Sequence, residues 1–304
     1  MVIRMRREQV IIIGAGPAGT VAAVQCQRLG VTPLLLDRAG TAGGLAENAY
    51  CIENYPGMPK PLGGPQFAES LRAHLARFDL TVGRVEVEGI MGNGREFSVK
   101  HAGGEFFARA VILASGTEPH RLDLAGENEL DGAKLFYEVR PLLRCHAKPR
   151  DVIIVGGGEA ACDYALTLAS VGATVHLVVR SDRLKARGDL ACAVQRAPSI
   201  RISHGTRCEL IAASPLLTVR LRNSITGSIM ELSPDALLVA VGRRSTAPRL
   251  LDPLGVPMAD CVAGSIPGLF VAGDASIGSL GQIGMAVGDG IRAAAATVAF
   301  LENQ

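Results

Sequence analysis

The chain has 304 residues, enough for about two domains, and 48% of them are hydrophobic, so it can bury a large core. It contains 36 glycines and only 4% aromatic residues, which is typical of stacked βα units and argues against an antiparallel sandwich or barrel. The 31 basic and 29 acidic residues give a net charge of +2, which argues against nucleic acid or an acidic membrane as a partner.

Cysteine spacing and hydropathy bound the chemistry and the compartment. The seven cysteines stand at positions 26, 51, 145, 162, 192, 208 and 261. The closest two are 16 residues apart (208 − 192), which excludes a C-x-x-C dithiol and closely spaced zinc ligands, so no metal site is predicted. Scattered thiols are typical of a reducing compartment. The most apolar stretch follows Gln282 and is interrupted by Asp289 and Arg292, so we predict a cytoplasmic protein without a membrane span.

The chain opens on a strand, a glycine turn, a helix and a second strand. Residues 10–13 form a short β-branched run, which predicts a buried parallel strand. They are followed by Gly14-Ala-Gly16-Pro-Ala-Gly19, by a helix to about Leu29, and by a strand over 33–36 that ends at Asp37. This order within about 30 residues is that of a dinucleotide-binding βαβ unit.

The middle of the chain predicts a mixture of elements. A Gly/Pro-rich stretch over 54–65 precedes a helix over 65–78, and hairpin-like strands are predicted from Thr81 to Phe107. A strand over 110–113 then leads into Ala114-Ser115-Gly116.

The βαβ unit then returns 142 residues later (156 − 14). It consists of a strand over 151–155, the turn Gly156-Gly-Gly158-Glu-Ala-Ala161, a helix to about Val171 and a strand over 174–179. A further strand over 236–241 leads into Gly242, much as the strand over 110–113 leads into Gly116. We interpret these two junctions as the crossings of the chain out of the first domain and back into it.

The glycine turns predict two sites for dinucleotides. The first glycine of such a turn allows a tight bend, the second lets backbone N–H groups approach a pyrophosphate, and the third position must be small so that the helix packs on the sheet. The start of the following helix then faces the phosphates with its positive end. A structural turn without a ligand is the alternative, but two copies in the required context favour binding.

The residue at the end of the second strand distinguishes the two sites. Asp37 lies 23 residues after Gly14 (37 − 14), where a carboxylate accepts hydrogen bonds from ribose hydroxyls, as in FAD or NAD sites. The same offset in the second copy falls on Val179. Arg180, Arg183, Lys185 and Arg187 follow; we favour Arg180 and Lys185 as ligands of a 2′-phosphate, and the alternative is a solvated surface loop. The first site therefore predicts FAD and the second NADPH, with NADH as an alternative.

Nearly the whole chain resembles the low-molecular-weight thioredoxin reductase group of FAD/NAD(P)H flavoproteins, including its ferredoxin–NADP reductase relatives. The resemblance is carried, in order, by the first glycine turn, Gly43-Gly44, Glu53-Asn54-Tyr55-Pro56-Gly57, Ala114-Ser115-Gly116, the second glycine turn and Gly268-Leu-Phe-Val-Ala-Gly273-Asp274. It implies an α/β fold of two Rossmann-like three-layer (β/β/α) dinucleotide-binding domains. The FAD domain is discontinuous (1–117 and 246–304), the NAD(P)H domain covers 118–245, and a homodimer is expected.

The resemblance also implies roles for particular residues. Asp274 would bond the ribityl or phosphate region of FAD, and Asn54 and Gln282 would lie at the flavin ring, where a helix from about Gln282 would point its N-terminus at the pyrimidine edge. No catalytic side chain is predicted. The predicted FAD-site residues are Gly14, Gly16, Pro17, Ala18, Gly19, Asp37, Arg38, Gly44, Leu45, Asn54, Ala114, Ser115, Gly116, Gly273, Asp274, Gln282 and Ile283. The predicted nucleotide-site residues are Gly156, Gly158, Glu159, Ala160, Arg180, Lys185 and Gly242.

The chain departs from the thioredoxin reductase pattern where that pattern carries its redox dithiol. Aligned without gaps, the two cysteine positions fall on Val139 and Leu142, and the following acid falls on Leu143. The Arg that usually precedes the flavin-side Gln is Gly281, and the Gln after Gly43-Gly44 is Leu45. In the family's 2′-phosphate clamp the first position is a basic residue, but here it is Val179, and this replacement weakens the predicted preference for NADPH.

Four features near the predicted sites have two interpretations each. Cys51 could approach the flavin, but we favour a buried small hydrophobe. Cys145 and His146 suggest a thiolate pair, yet adjacent helical residues do not face each other. Cys162 follows the second glycine turn, where a helix N-terminus lowers a thiol pKa, although packing on the sheet is favoured. Phe136 and Tyr137 would either shield the flavin or fill the core.

The predicted function is an FAD-dependent NAD(P)H oxidoreductase without an internal redox dithiol. Electrons would pass from NADPH through the flavin to an external acceptor, a small redox protein or small molecule, with a ferredoxin- or flavodoxin-like protein favoured by analogy with the dithiol-free relatives. A disulfide reductase that uses rearranged cysteines, such as Cys51 or Cys145, is one alternative. A flavin-binding redox sensor with a degenerate nucleotide site is the other.

Overall fold

The protein consists of two compact units in a computed structural model that describes residues 7–92, 95–213, 215–246, 248–251, 266–277 and 281–304. The first unit comprises 1–47, 52–118 and 244–304, and the second comprises 48–51 and 119–243. The predicted crossings, at 117/118 and 245/246, lie one and two residues from these limits. The segment 48–51, which the sequence places in the first domain, groups with the second unit.

The elements are defined here in chain order. The strands are β1 (Arg7–Ile13), β2 (Leu34–Asp37), β3 (Val82–Arg84), β4 (Val87–Gly92), β5 (Phe97–His101), β6 (Gly104–Leu113), β7 (Thr117–Pro119), β8 (Leu135–Phe136), β9 (Asp151–Val155), β10 (Thr174–Val178), β11 (Ile200–Ser203), β12 (Thr206–Ala213), β13 (Leu217–Asn223), β14 (Ile229–Leu232), β15 (Ala236–Val239), β16 (Arg243–Ser245), β17 (Arg249–Leu251) and β18 (Leu269–Val271). The helices are α1 (Pro17–Arg28), α2 (Gly64–Arg77), α3 (Glu127–Leu130), α4 (Val139–Cys145), α5 (Glu159–Ser170), α6 (Gly188–Arg196), α7 (Asp274–Ile277) and α8 (Ile283–Glu302), with a 3₁₀ turn at Gly44–Asn48.

The first unit is built on an eight-stranded sheet with β1 near its centre. The strand order is β17-β4-β5-β6-β1-β2-β3, and β18 also pairs with β6. β1 is parallel to β2 and β6, and Val10, Ile11 and Ile12 have no exposed surface, as expected for a parallel strand covered on both faces.

The strands predicted as hairpins include both antiparallel and parallel pairings. β4, β5 and β6 pair antiparallel as predicted. β3 instead pairs parallel with β2, so the hairpin prediction is wrong for this strand, because its edge position depends on distant packing. β6 runs from Gly104 to Leu113 without a break, so one strand serves both the antiparallel half and the parallel half of the sheet.

Helix α8 packs closely on α1. A Cβ built on Gly290 would lie 2.3 Å from the carbonyl oxygen of Ala18, so only glycine allows this approach of the two backbones. By length and composition α8 is the one described helix that could cross a membrane. Core helices of soluble proteins meet the same criterion, and α8 buries Ala294, Thr297 and Val298 within its unit.

The second unit has three layers. Its central sheet, in the order β11-β10-β9-β15-β8, is parallel throughout. One face packs against α4, α5 and α6, and the other packs against the antiparallel sheet β12-β13-β14. The chain is thus an α/β protein with two Rossmann-like units, which confirms the predicted fold class.

Candidate cofactor sites

The first glycine turn is shaped by close backbone contacts. Gly14 has φ +101°, and a Cβ on it would lie 2.2 Å from the carbonyl oxygen of Ala114. Its N–H donates a 2.7 Å bond to the carbonyl oxygen of Leu36. A Cβ on Gly19 would lie 1.8 Å from the Gly14 carbonyl oxygen. These two positions therefore require glycine for the fold itself, whatever the turn binds.

Gly16 differs because its open side faces no atom of the residues that the structure describes. Nothing described lies within 4 Å of a Cβ built there, although the backbone angles, φ −69° and ψ −174°, suit any residue. Gly16 is also the N-cap of α1, no side chain caps the helix, and Pro17 follows at the first helical position. Free N–H groups at a helix start attract an anion. The turn therefore fits the pyrophosphate of FAD.

Asp37 is fixed beside this turn. Its Oδ2 accepts a 2.8 Å hydrogen bond from the backbone N–H of Ala15, and its Oδ1 accepts one of 2.8 Å from Ala39. The half-buried carboxylate is therefore held at the end of β2, and each oxygen retains a lone pair for a ribose hydroxyl. Arg38, the next residue, is exposed.

Two further segments of the predicted FAD site converge on the same turn. A Cβ on Gly44 would lie 2.9 Å from the Cα of Gly16, and one on Gly273 would lie 2.8 Å from the Cβ of Ala18. Asp274 begins α7 directly after Gly273. Leu45, which replaces the usual Gln, is half-buried in the 3₁₀ turn.

The two side chains predicted at the flavin ring meet each other. The side-chain Nδ2 of Asn54 donates a 2.5 Å bond to Oε1 of Gln282, and both residues are exposed. Gln282 is the N-cap of α8, which begins at Ile283. At the departure, Gly281, a Cβ would lie 2.8 Å from Oδ2 of the Asp274 side chain.

The segment after β6 is hydrogen-bonded to Thr246, where the chain re-enters the first unit. Ser115 Oγ donates a 2.5 Å bond to the carbonyl oxygen of Thr246, whose N–H donates a 3.1 Å bond to the carbonyl oxygen of Gly116. The N–H of Ala114 donates a 2.8 Å hydrogen bond to the carbonyl oxygen of Ile13. Asp37, Gly44, Ala114 and Gly273 thus contact the first glycine turn, and the carboxylate and the open glycine of this group fit FAD.

The second glycine turn repeats the geometry of the first. Gly156 has φ +149°, a Cβ on it would lie 2.2 Å from the carbonyl oxygen of Ala240, and its N–H donates 2.9 Å to the carbonyl oxygen of Val178. Gly158, the N-cap of α5, again has nothing described within 4 Å of a built Cβ. This turn also fits a pyrophosphate.

The end of β10 lacks the carboxylate seen at Asp37. Val179 is 1% exposed, and its Cγ1 would lie 2.7 Å from a Cβ on Gly157. The backbone N–H of Lys185 donates a 2.7 Å bond to the Gly157 carbonyl oxygen, which brings the basic segment to the turn. Arg180 is exposed and forms no ion pair with any described residue.

The other predicted nucleotide-site residues lie at the start of α5 and after β15. Glu159 and Ala160 begin α5 and are exposed. Nε of Arg187 lies 3.9 Å from Oε1 of Glu159, and the Arg187 side chain is 88% exposed. Both observations support the interpretation of Arg187 as a surface residue. Gly242 has φ +118°, and its carbonyl oxygen accepts a 3.0 Å bond from His120.

The segment at the aligned dithiol position is part of the core of the second unit. Val139 and Leu142 have no exposed surface, and they share an apolar cluster with Phe136. Tyr137 donates a 2.6 Å bond to Oε1 of the buried Glu127, and burial raises the pKa of the Tyr137 phenol. The core interpretation of the two aromatic residues is therefore the one that the contacts support.

Sequence reasoning missed the polar cluster that holds this segment. Glu138, the N-cap of α4, accepts a 2.6 Å bond from the hydroxyl of Tyr164 and pairs with Arg243. Burial raises the pKa of Tyr164. No short motif links these three residues, since they are separated by 26 and 105 positions along the chain.

The thiols divide into buried and exposed groups. Burial raises the pKa of Cys26 to about 12 and that of Cys162 to about 11, so Cys162 packs in the core and is not activated by the helix start. Cys51 is exposed, and its predicted burial is wrong because it lies in an irregular segment. Cys145 and Cys192 are also exposed. Cys261 lies outside the described residues.

Cys145 and His146 each contact a backbone carbonyl oxygen. Cys145 Sγ contacts the carbonyl oxygen of Gly132 at 3.7 Å, and His146 Nε2 contacts the carbonyl oxygen of Ala133 at 3.3 Å. The two side chains therefore do not pair with each other. Among the residues that the structure describes, no group of His, Cys, Asp and Glu could hold a metal ion.

Comparisons with known proteins identify the family. Residues 8–290 match the family described as pyridine nucleotide-disulphide oxidoreductase. The chain is 30% identical to a thioredoxin reductase of Treponema pallidum (97% of each chain covered) and 31% identical to one of Bacillus subtilis (97% and 95%). The crystal structure of Lactococcus lactis thioredoxin reductase in its FR conformation matches with a TM-score of 0.84 and 28% identity, covering 98% of this chain and 100% of that one. The chain therefore belongs to the pyridine nucleotide-disulphide oxidoreductase family and is an NAD(P)H-dependent flavoprotein oxidoreductase that uses FAD and NADPH.

Proposed function

We propose that this enzyme passes electrons from NADPH to FAD and on to an acceptor outside the chain, without a redox dithiol of its own. The observation that carries this proposal is the burial of Val139 and Leu142, both 0% exposed, in an apolar cluster at the aligned dithiol position. The cysteine spacing supports it, because no two cysteines are closer than 16 residues in sequence (208 − 192).

The residues of the first unit would hold and orient the flavin cofactor. The start of α1 at Gly16 would bind the pyrophosphate, and Asp37 would accept from the ribose. Asn54 and Gln282, joined by a 2.5 Å bond, would lie at the ring, and the positive end of α8 would favour the negative charge of its reduced form. When bound, FAD supplies the hydride acceptor and the onward electron donor.

The residues of the second unit would bind the nicotinamide cofactor. Gly158 and the start of α5 leave room for its pyrophosphate. Arg180 and Lys185 would contact the 2′-phosphate, and the buried Val179 offers no carboxylate that would repel it or bind a 2′-hydroxyl. This arrangement favours NADPH over NADH.

The acceptor has two candidate classes. The names of the relatives, thioredoxin reductases over nearly the whole chain, favour a disulfide of a small redox protein over the ferredoxin- or flavodoxin-like protein predicted from the sequence. A thioredoxin reductase-like reaction would need cysteines rearranged relative to the usual motif, and the exposed Cys51, Cys145 and Cys192 are the described thiols that could serve it. The buried Val139 and Leu142 instead favour direct transfer from the flavin to an external acceptor.

An anaerobic NADPH titration followed by an acceptor panel tests these proposals. Bleaching of the bound flavin by NADPH supports the enzyme, whereas a flavin that NADPH does not reduce would favour the redox sensor. Oxidised thioredoxin, ferredoxin, flavodoxin and an artificial one-electron acceptor are then compared as substrates. Thioredoxin reduction that is lost in a Cys51→Ser/Cys145→Ser/Cys192→Ser variant would favour the disulfide reductase.

The homodimer, which the family resemblance implies, and the cytoplasmic location, which the cysteines and the hydropathy indicate, stay predictions. The exposed apolar residues Met285 and Ile291 on α8, 42% and 43% exposed, give a second copy an apolar surface to cover. Light scattering of the purified holoenzyme measures the oligomeric state directly.

Replacing Arg180 by alanine is expected to raise KM for NADPH by about tenfold and to leave KM for NADH nearly unchanged. A hydrogen bond to a charged group contributes about 1.5–3 kcal/mol, and only NADPH carries the 2′-phosphate. Steady-state kinetics with both nucleotides measure the effect. Arg183→Ala, an exposed neighbour, is the matched control. Equal changes with NADPH and NADH would show that Arg180 does not contact the 2′-phosphate.

A further inference from the structure

The turn formed by Gly43 and Gly44 has no side chain to hold its shape. Their φ angles are +145° and +57°, a conformation that suits glycine but that leaves the backbone free to move when nothing else fixes it. Gly44 nevertheless lies tightly against the first glycine turn, since a Cβ on it would be 2.9 Å from the Cα of Gly16. Contacts from outside must therefore fix this turn.

One face of α2 supplies these contacts. Gly64, Ala68 and Arg72 recur at intervals of four residues, so they lie on the same face of the helix. A Cβ on Gly64 would be 2.4 Å from the carbonyl oxygen of Ala46, and one on Gly43 would be 2.9 Å from the Cβ of Ala68. The helix therefore packs directly on the backbone that follows the turn.

Arg72 is the charged member of this face. Its Nη1 donates a 2.9 Å bond to the carbonyl oxygen of the buried Ala42. Its Nε lies 2.9 Å from Oε2 of Glu69, which orients the guanidinium, and its side chain is 33% exposed. On the side of the first glycine turn, the N–H of Gly43 donates a 3.0 Å hydrogen bond to the carbonyl oxygen of Ala15. The turn is thus held between the first glycine turn and Arg72.

We infer that Arg72 is a positioning residue of the FAD site, because its bond to Ala42 holds the Gly43–Gly44 turn in the shape that binds the cofactor. The inference rests on the FAD site proposed above. Charge-assisted hydrogen bonds are stronger than neutral ones, so losing this donor leaves the turn with the packing of Ala68 and the bond from Gly43 to Ala15 as its described contacts. Arg72 acts through the backbone of the turn.

Replacing Arg72 by methionine is expected to raise the Kd of the apoprotein for FAD by about tenfold, because binding must then also order the turn. Methionine keeps the helix propensity and most of the apolar stem. The measurement is the change in flavin fluorescence as FAD is titrated into apoprotein. With saturating FAD, KM for NADPH and kcat should return to wild-type values. Arg72→Lys, which keeps a charged donor, should recover part of the affinity.

The matched control is Arg77→Met, an exposed arginine in the last turn of the same helix, for which we expect FAD affinity within about twofold of wild type. Equal FAD affinity in Arg72→Met and Arg77→Met would overturn the inference. A lower Tm of the apoprotein in Arg72→Met alone, with no rescue by lysine, would also overturn it, since Arg72 would then support the fold in general.

The Gly16→Val variant separates the inference from the site on which it rests. If Gly16→Val keeps its FAD, the cofactor site itself is misplaced. If Gly16→Val loses FAD while Arg72→Met binds it normally, the site stands and only the role of Arg72 is removed.

Discussion

Replacing Gly16 by valine is expected to give folded but colourless protein. A Cβ at Gly16 meets no described atom within 4 Å and the backbone there is extended, so the valine side chain enters the space proposed for the FAD pyrophosphate without straining the turn. Valine is a poor N-cap, which costs about 1 kcal/mol, far less than the loss of the phosphate contacts. Flavin absorbance per chain and the Tm are measured together.

Two matched variants make this expectation specific. Gly158→Val places the same side chain in the same open position of the second turn, so the protein should stay yellow while its reduction by NADPH is lost. Gly14→Ala should lower the Tm sharply, because its Cβ would lie 2.2 Å from the carbonyl oxygen of Ala114 at φ +101°. Full flavin content in Gly16→Val would show that the pyrophosphate lies elsewhere.

The glycine turns explain why the sequence predicts so much of this fold. Each turn depends on the sterics of a few consecutive residues, so Gly14 and Gly156 both adopt a positive φ and donate hydrogen bonds to equivalent strand residues, Leu36 and Val178. The contrast between Asp37 and Val179 is equally local, because both follow their glycine turn at a fixed distance along the chain. Local patterns of this kind are visible without the tertiary structure.

Features that depend on distant residues were not predictable in this way. The bond from Arg72 to Ala42 joins residues 30 positions apart, and neither residue belongs to a motif. The parallel pairing of β3 with β2 and the exposure of Cys51 likewise depend on packing and not on local pattern. The Glu138–Arg243 pair joins residues 105 positions apart that follow the neighbouring strands β8 and β15. Such contacts require the folded chain to be known.

A reductive titration is expected to end at about two electrons per chain. The flavin takes up two electrons, and a chain with an internal redox dithiol would take up about two more. Here Val139 and Leu142 fill the aligned positions as buried core residues. Burial raises the pKa of Cys162 to about 11, so this thiol stays protonated at neutral pH and is a poor nucleophile. Anaerobic dithionite titration, followed by flavin absorbance, measures the endpoint.

Variants of the exposed cysteines complete the test of direct transfer from the flavin. Cys51→Ser/Cys145→Ser removes two thiols that a rearranged disulfide could use, and turnover with an artificial one-electron acceptor should be largely unchanged. No long-wavelength band from a thiolate–flavin contact should appear on partial reduction. An endpoint of about four electrons per chain in the wild type that falls to about two in the double variant would instead establish a redox-active cysteine pair, and the disulfide reductase would replace direct transfer as the function of this chain.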